Sequence, residues 1–222
     1  MKGPNEGTIL RVTPPEPSES IRDVMALLDW KRRISDLYGE IRSCPEPEWA
    51  WRRWREVRHE IFATHPQSPI PADERASFKG LDYYHYDPVF RVLADYRDVV
   101  SEHYDIATSG TEPMRFARRG IATFQLQGQV VNLELYWIET YGGGLFVPFK
   151  DATSGRTTYG AGRYLLDTVK GADLGTLYDK LVLDFNFAYN PSCSYDPRWV
   201  CPLATPANSV DMAIEAGERQ AE

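Results

Sequence analysis

The chain has 222 residues, enough to bury a sizeable core, and its 42% hydrophobic and 26% charged content is that of a folded globular protein. A formal charge of −7, from 25 basic and 32 acidic residues, opposes long-range attraction to phosphate backbones and anionic lipid, so neither nucleic-acid nor membrane binding is expected. A 13% aromatic content leans toward strands, and three cysteines are too few for a disulfide-dense secreted scaffold, so a cytoplasmic location is expected.

Residues 1–19 hold four prolines and no sustained apolar period, and read as a flexible tail without a signal segment. Ser20 suits an N-cap, and Trp30, Ile34, Leu37 and Ile41 recur at helical spacing, which predicts a helix over Ile21–Arg42. Ser43-Cys44-Pro45-Glu46-Pro47 breaks it, and Ala50, Trp54, Val57 and Ile61 mark one face of a second helix. Together these make a helical hairpin over 20–65. The second helix sets Arg52, Arg53, Arg55 and Arg58 beside Trp49, Trp51 and Trp54, which suits either core packing or stacking on a partner. Interleaved Glu46, Glu48, Glu56 and Glu60 dilute the positive field and favour packing.

A proline-stiffened connector, His65–Pro71, leads through a single helical turn at Asp73–Ala76 into a β-rich domain over 66–222. Strand-type runs fall at Phe90–Tyr96, Val99–Ala107, Met114–Arg118, Ile121–Leu126, Gln129–Ile138, Gly144–Phe149, Gly160–Leu166 and Lys180–Phe185. Ser109-Gly110 and Gln127-Gly128 mark turns, the second closing a hairpin. Gly142-Gly143-Gly144 lacks a following Lys-Ser/Thr and reads as a turn leading into a strand rather than a phosphate cradle. Gly171–Tyr178 suggests a short helix, and Val210–Ile214 a final edge strand. The fold class is therefore α+β and β-rich: an antiparallel β-sandwich or partly closed β-barrel preceded by a helical hairpin.

Several motifs occur in a fixed order: Phe78-x-Gly80-Leu81-x-Tyr83, Phe149-x-Asp151-x-Thr153-Ser154-Gly155, Tyr159-Gly160-x-Gly162-Arg163-Tyr164 and Asp184-Phe185-Asn186-x-Ala188-Tyr189-Asn190-Pro191-x-Cys193-x-Tyr195. Cys201-Pro202, Asn208 and Ala216-Gly217-Glu218 follow. Over roughly residues 49–218 this order resembles a prokaryotic family known as domain of unknown function 1684. The resemblance implies motif positions and no activity, cofactor or catalytic residue.

The chemistry of those motifs admits structural and functional readings. Asp151 and Thr153 either close a turn or face a pocket opposite Arg163, whose planar fork holds a carboxylate or phosphate when it is not paired with Asp151 or Asp184. Strand alternation puts Asp184 and Asn186 on one side, as a general base with an orienting amide or as ties for the following loop. Tyr159, Tyr189 and Tyr195 are phenolic donors or packing residues. Cys193 and Cys201 have seven residues between them and no further ligand pair, so no metal site and no cofactor is predicted; a buried inert thiol, a reversible disulfide or a nucleophile remain as roles.

The leading expectation is binding of a small polar or anionic ligand in a pocket lined by Asp151, Thr153, Tyr159, Arg163, Asp184, Asn186 and Tyr195. One alternative is a hydrolase with Asp184 or Cys193 as the catalytic group. The other is a protein-interaction module that presents the tryptophan-rich helix through Trp51.

Overall fold

The computed structural model describes residues 20–139 and 142–220; the predicted tail over 1–19 lies outside them. Helix α1 spans Ile21–Ser43 and starts on a capping box, in which the Ser20 hydroxyl accepts from Asp23 N at 3.2 Å and the Asp23 carboxylate accepts from Ser20 N at 3.1 Å. Helix α2 spans Pro47–Thr64, with proline in the first turn, where its missing N–H has no intrahelical partner to lose. The predicted faces pack as expected: Ile34, Leu37 and Ile41 of α1 and Ala50, Trp54, Val57 and Ile61 of α2 share one core.

Seven strands follow: β1 (Arg91–Ile106), β2 (Met114–Leu126), β3 (Gln129–Ile138), β4 (Leu145–Phe149), β5 (Arg163–Asp167), β6 (Thr176–Leu177) and β7 (Lys180–Asp184). They form one antiparallel sheet in the order β5-β4-β3-β2-β1-β7-β6, curled into a half-barrel. The partly closed barrel is the expected architecture that the chain adopts. The helical hairpin covers one core, which includes Phe116, Tyr136, Phe146 and Tyr164, while Phe124, Leu133, Val147, Phe149 and Leu183 belong to a second core.

Two expected breaks are not breaks. Phe90–Tyr96 and Val99–Ala107 merge into β1, and Met114–Arg118 and Ile121–Leu126 into β2, because register shifts between Asp98 and Glu102 and between Arg118 and Gly120 carry pairing through. A bulge reverses the in–out alternation, so Phe116 packs under the helices while Ala122 and Phe124 serve the other core. Such a reversal looks like a strand end to a period-two reading.

The Gly171–Tyr178 helix does not form. A 3-10 turn occupies Thr168–Lys170, and β6 and β7 are joined by Tyr178 and Asp179 at φ +52° and +58°, the primed hairpin geometry. The turn at Gln127-Gly128 has the same form. The Gly142–Gly144 stretch turns into β4, and Gly143, at φ +58°, lies so close to the Trp137 ring that a Cβ would fall 2.3 Å from it, so the turn needs glycine there.

The expected edge strand at Val210–Ile214 is instead an irregular strap. Its alternation is as read, with Val210, Met212, Ile214 and Ala216 buried in the second core. Its backbone meets the chain beyond β4 through Lys150 N to Asn208 O at 2.9 Å, Val210 N to Lys150 O at 2.8 Å and Ala152 N to Met212 O at 3.1 Å. Past Met212 side chains replace the sheet partner, which is why no strand forms there. Gly217, at φ +77°, must be glycine: a Cβ would stand 2.6 Å from the carbonyl oxygens of Phe185 and Ala188.

Candidate functional site

The structure distributes the predicted site residues over four places. Asp151, Thr153 and Arg163 form a buried lock. Arg163, at the start of β5, donates to Asp151 Oδ2 at 2.8 Å and to Ile214 O at 3.0 Å with Nη2, and to Ala216 O and Glu218 O with Nη1. The second Asp151 oxygen accepts from the backbone and hydroxyl of Thr153, and Oδ2 also accepts from Ile214 N at 3.2 Å. Arg163 is 1% exposed and its guanidinium lies over the Phe149 ring. Its hydrogen-bonding capacity therefore goes to the strap, and desolvation pulls its pKa below the ordinary range against the opposing charge of Asp151. The fork holds a carboxylate, but one belonging to the chain itself.

Asp184 and Asn186 form a second tie, distant from Arg163 in the hydrogen-bond pattern. Asp184 ends β7, and Asn186 lies in a 3-10 turn rather than on the same strand face. Asp184 Oδ1 accepts from Asn186 N and Nδ2, while the Asn186 amide also accepts from Asp87 N at 3.0 Å and donates to Asp87 O at 2.8 Å. Asp184 Oδ2 has no hydrogen-bond partner; Arg91 Nε stands 3.7 Å away. Burial raises this carboxyl to about 6, a value suited to a general base. The adjoining cavity, though, is only about 60 Å³, too small for a substrate.

Tyr195 belongs to a third cluster, in which its hydroxyl donates to Glu218 and Arg58 of α2 donates to the same carboxylate at 2.8 Å. Arg58 also donates to Tyr83 Oη at 3.0 Å, and Glu218 accepts from Asn190 N at 3.0 Å. Burial raises the Glu218 carboxyl, and the adjacent Arg58 charge partly offsets this. Tyr159 stands with Cys193, hydroxyl to thiol 3.9 Å.

The arginines and tryptophans of α2 are also accounted for. Trp54 is fully buried and donates to Tyr38 Oη at 3.1 Å, and Trp51, 4% exposed, donates to Asn186 O at 3.0 Å. Trp51 is thus part of the core and not available to a partner protein, whereas Trp49 of the same helix is 54% exposed. Arg55 stacks on Trp51 and Tyr83, and Arg52 pairs with Glu48.

A cavity of about 190 Å³ opens where α1, α2 and the segment 189–201 converge. Trp30, Trp54 and Phe62 wall it from the helices, Tyr189 and Trp199 from the loop. Among the described residues its lining includes three cations, Lys31, Arg58 and Lys170, and no carboxylate, although Arg58 is paired with Glu218 and Lys170 with Asp167 behind the wall. Tyr189 Oη, Asn190 Oδ1 and Trp199 Nε1, all on lining residues, are buried without a hydrogen-bond partner. Each such group costs about 1–3 kcal/mol unless something supplies the missing bond. Of these residues only Tyr189 and Asn190 carried a sequence signal, through the Ala188-Tyr189-Asn190-Pro191 motif; Trp30 and Trp54 read as core because they occupy the apolar helix faces.

A family model described as a protein of unknown function, DUF1684, matches residues 76–219. Among solved structures, the solution structure of an uncharacterised protein from Haloarcula marismortui is similar at 34% sequence identity and a TM-score of 0.57, covering 78% of this chain and 93% of that one. No curated protein matches the chain.

Proposed function

The chain belongs to the DUF1684 family of proteins of unknown function, and from the geometry of its pocket we propose that it binds a small anionic molecule with an aromatic or apolar body between the helical hairpin and segment 189–201. The observation that carries this reading is that three residues lining the pocket, Tyr189, Asn190 and Trp199, each hold a buried polar atom with no hydrogen-bond partner among the described residues. Two are donors, the Tyr189 hydroxyl and the Trp199 indole N–H, and an anionic oxygen satisfies both. The aromatic walls suit a flat body, and the absence of lining carboxylates favours negative charge. We place the protein in the cytoplasm, where its three free cysteines stay reduced.

The test is a titration of the full chain with aryl carboxylates, sulfonates and phosphate esters, read by intrinsic tryptophan fluorescence and melting temperature, since three tryptophans line the pocket. A saturable response is expected, weakened about fivefold in Tyr189→Phe, which removes one hydrogen bond worth about 1 kcal/mol. Lys31→Glu, a reversal at an exposed lining residue, is expected to weaken the anions but not their neutral amides. No response to any of the three classes up to millimolar concentration would refute the reading.

A further inference from the structure

We propose that Cys193 and Cys201 form a modification site, a vicinal dithiol that a hydroperoxide converts to an intramolecular disulfide. Cys193 sits in the 3-10 turn Ser192–Ser194 and is partly exposed, while Cys201 is buried in the wall of the pocket. The two residues meet: Cys193 N donates to Cys201 Sγ at 3.4 Å. Hydroxyls lie around the pair: Tyr159 stands 3.9 Å from the Cys193 sulfur, and Ser109 accepts from Cys201 N at 3.0 Å. A sulfur ringed by donors is a stabilised thiolate: hydrogen bonds, that of Cys201 foremost, lower Cys193, and giving up its proton to that bond raises Cys201.

This asymmetry assigns the roles. The Cys193 thiolate attacks the distal oxygen of the hydroperoxide; the O–O bond breaks, sulfur becomes a sulfenic acid, and the alkoxide or hydroxide leaves with a proton as alcohol or water. Cys201 sulfur then attacks Cys193 Sγ, the S–O bond breaks, and the departing hydroxide takes the Cys201 proton as water. Overall two thiols lose two electrons and two protons, and one peroxide bond is reduced. Cys44 provides an internal control, because its thiol caps the Glu46 carbonyl at 3.4 Å in the turn between the helices, away from any hydroxyl cluster of this kind. The chemistry stands on the cysteines alone and is independent of whether the pocket binds an anion.

The experiment treats the reduced full chain with one equivalent of hydrogen peroxide at pH 7, quenches by alkylation and maps peptides by mass spectrometry. The expected product is a Cys193–Cys201 disulfide with Cys44 alkylated, and Cys193 consumed about tenfold or more faster than Cys44, because only Cys193 has a resolving thiol beside it. In Cys201→Ser, where no resolving thiol remains, Cys193 is expected to accumulate a sulfenic acid trapped by a 1,3-dione. Wild type alone decides the matter should that variant fail to fold: oxidation of Cys193 no faster than Cys44, or a wild-type product that stops at sulfinic acid or pairs other cysteines, would overturn the proposal.

Discussion

Arg163→Ala is expected to lose about 3–5 kcal/mol of unfolding free energy in urea titrations. The cost follows from what the substitution leaves behind. Asp151 keeps its bonds from Thr153 and Ile214 N but loses the counter-charge of Arg163, in a site where Arg163 is 1% exposed and Asp151 8%. The carbonyls of Ile214, Ala216 and Glu218 lose their donor at the same stroke. Removing both charges is cheaper than removing one, so Arg163→Met combined with Asp151→Leu is expected to recover part of the loss. A single-variant loss below about 1 kcal/mol would mean that the pair is not what holds the strap. A ligand contact at this arginine would behave oppositely, losing affinity while the fold kept its stability.

Asp184→Asn is expected to stabilise the protein by roughly 3 kcal/mol above neutral pH and to change little near pH 4. Asp184 has a folded-state pKa raised from 3.8 to about 6 by burial, with the Asn186 bonds and the Arg91 charge only partly opposing it. The folded state therefore holds this proton more tightly than the unfolded chain. The stabilisation from that proton is complete below the unfolded value and is lost as pH rises through about 6. Asparagine keeps the Oδ1 acceptor for the two Asn186 donors and stays neutral throughout. Urea midpoints at pH 4 and pH 8 provide the check: an equal difference at both would show that the carboxyl titrates normally.

The helices were legible because their information is local: the Ser20–Asp23 box and the apolar faces lie within a few turns of one another. The strands were legible in place but not in number, since the bulges in β1 and β2 reverse the alternation that a reader follows. At Val210–Ile214 the alternation gave the right buried face and the wrong partner, because Arg163 and Asp151 do there what a neighbouring strand would do. Asp151 and Arg163 were correctly paired as one of two readings. The pocket was not legible beyond the motif residues Tyr189, Asn190 and Cys201. Its walls come from α1, α2 and residues 189–201, and Trp30, Tyr38 and Trp54 carry the same spacing whether they meet a core or a cavity.

The Arg58–Glu218 pair joins α2 to the strap across 160 positions of sequence. The hairpin of α1 and α2 needs only neighbours to form, yet its Arg58 acquires a counter-charge only when the strap arrives. Closing so long a loop is slow, and contacts of this span set the folding rate of mixed proteins. The pair therefore belongs to the long-range contacts whose loop-closure cost slows folding, and because residues 214–218 also supply the carbonyls that engage Arg163, one short stretch of chain secures both buried arginines.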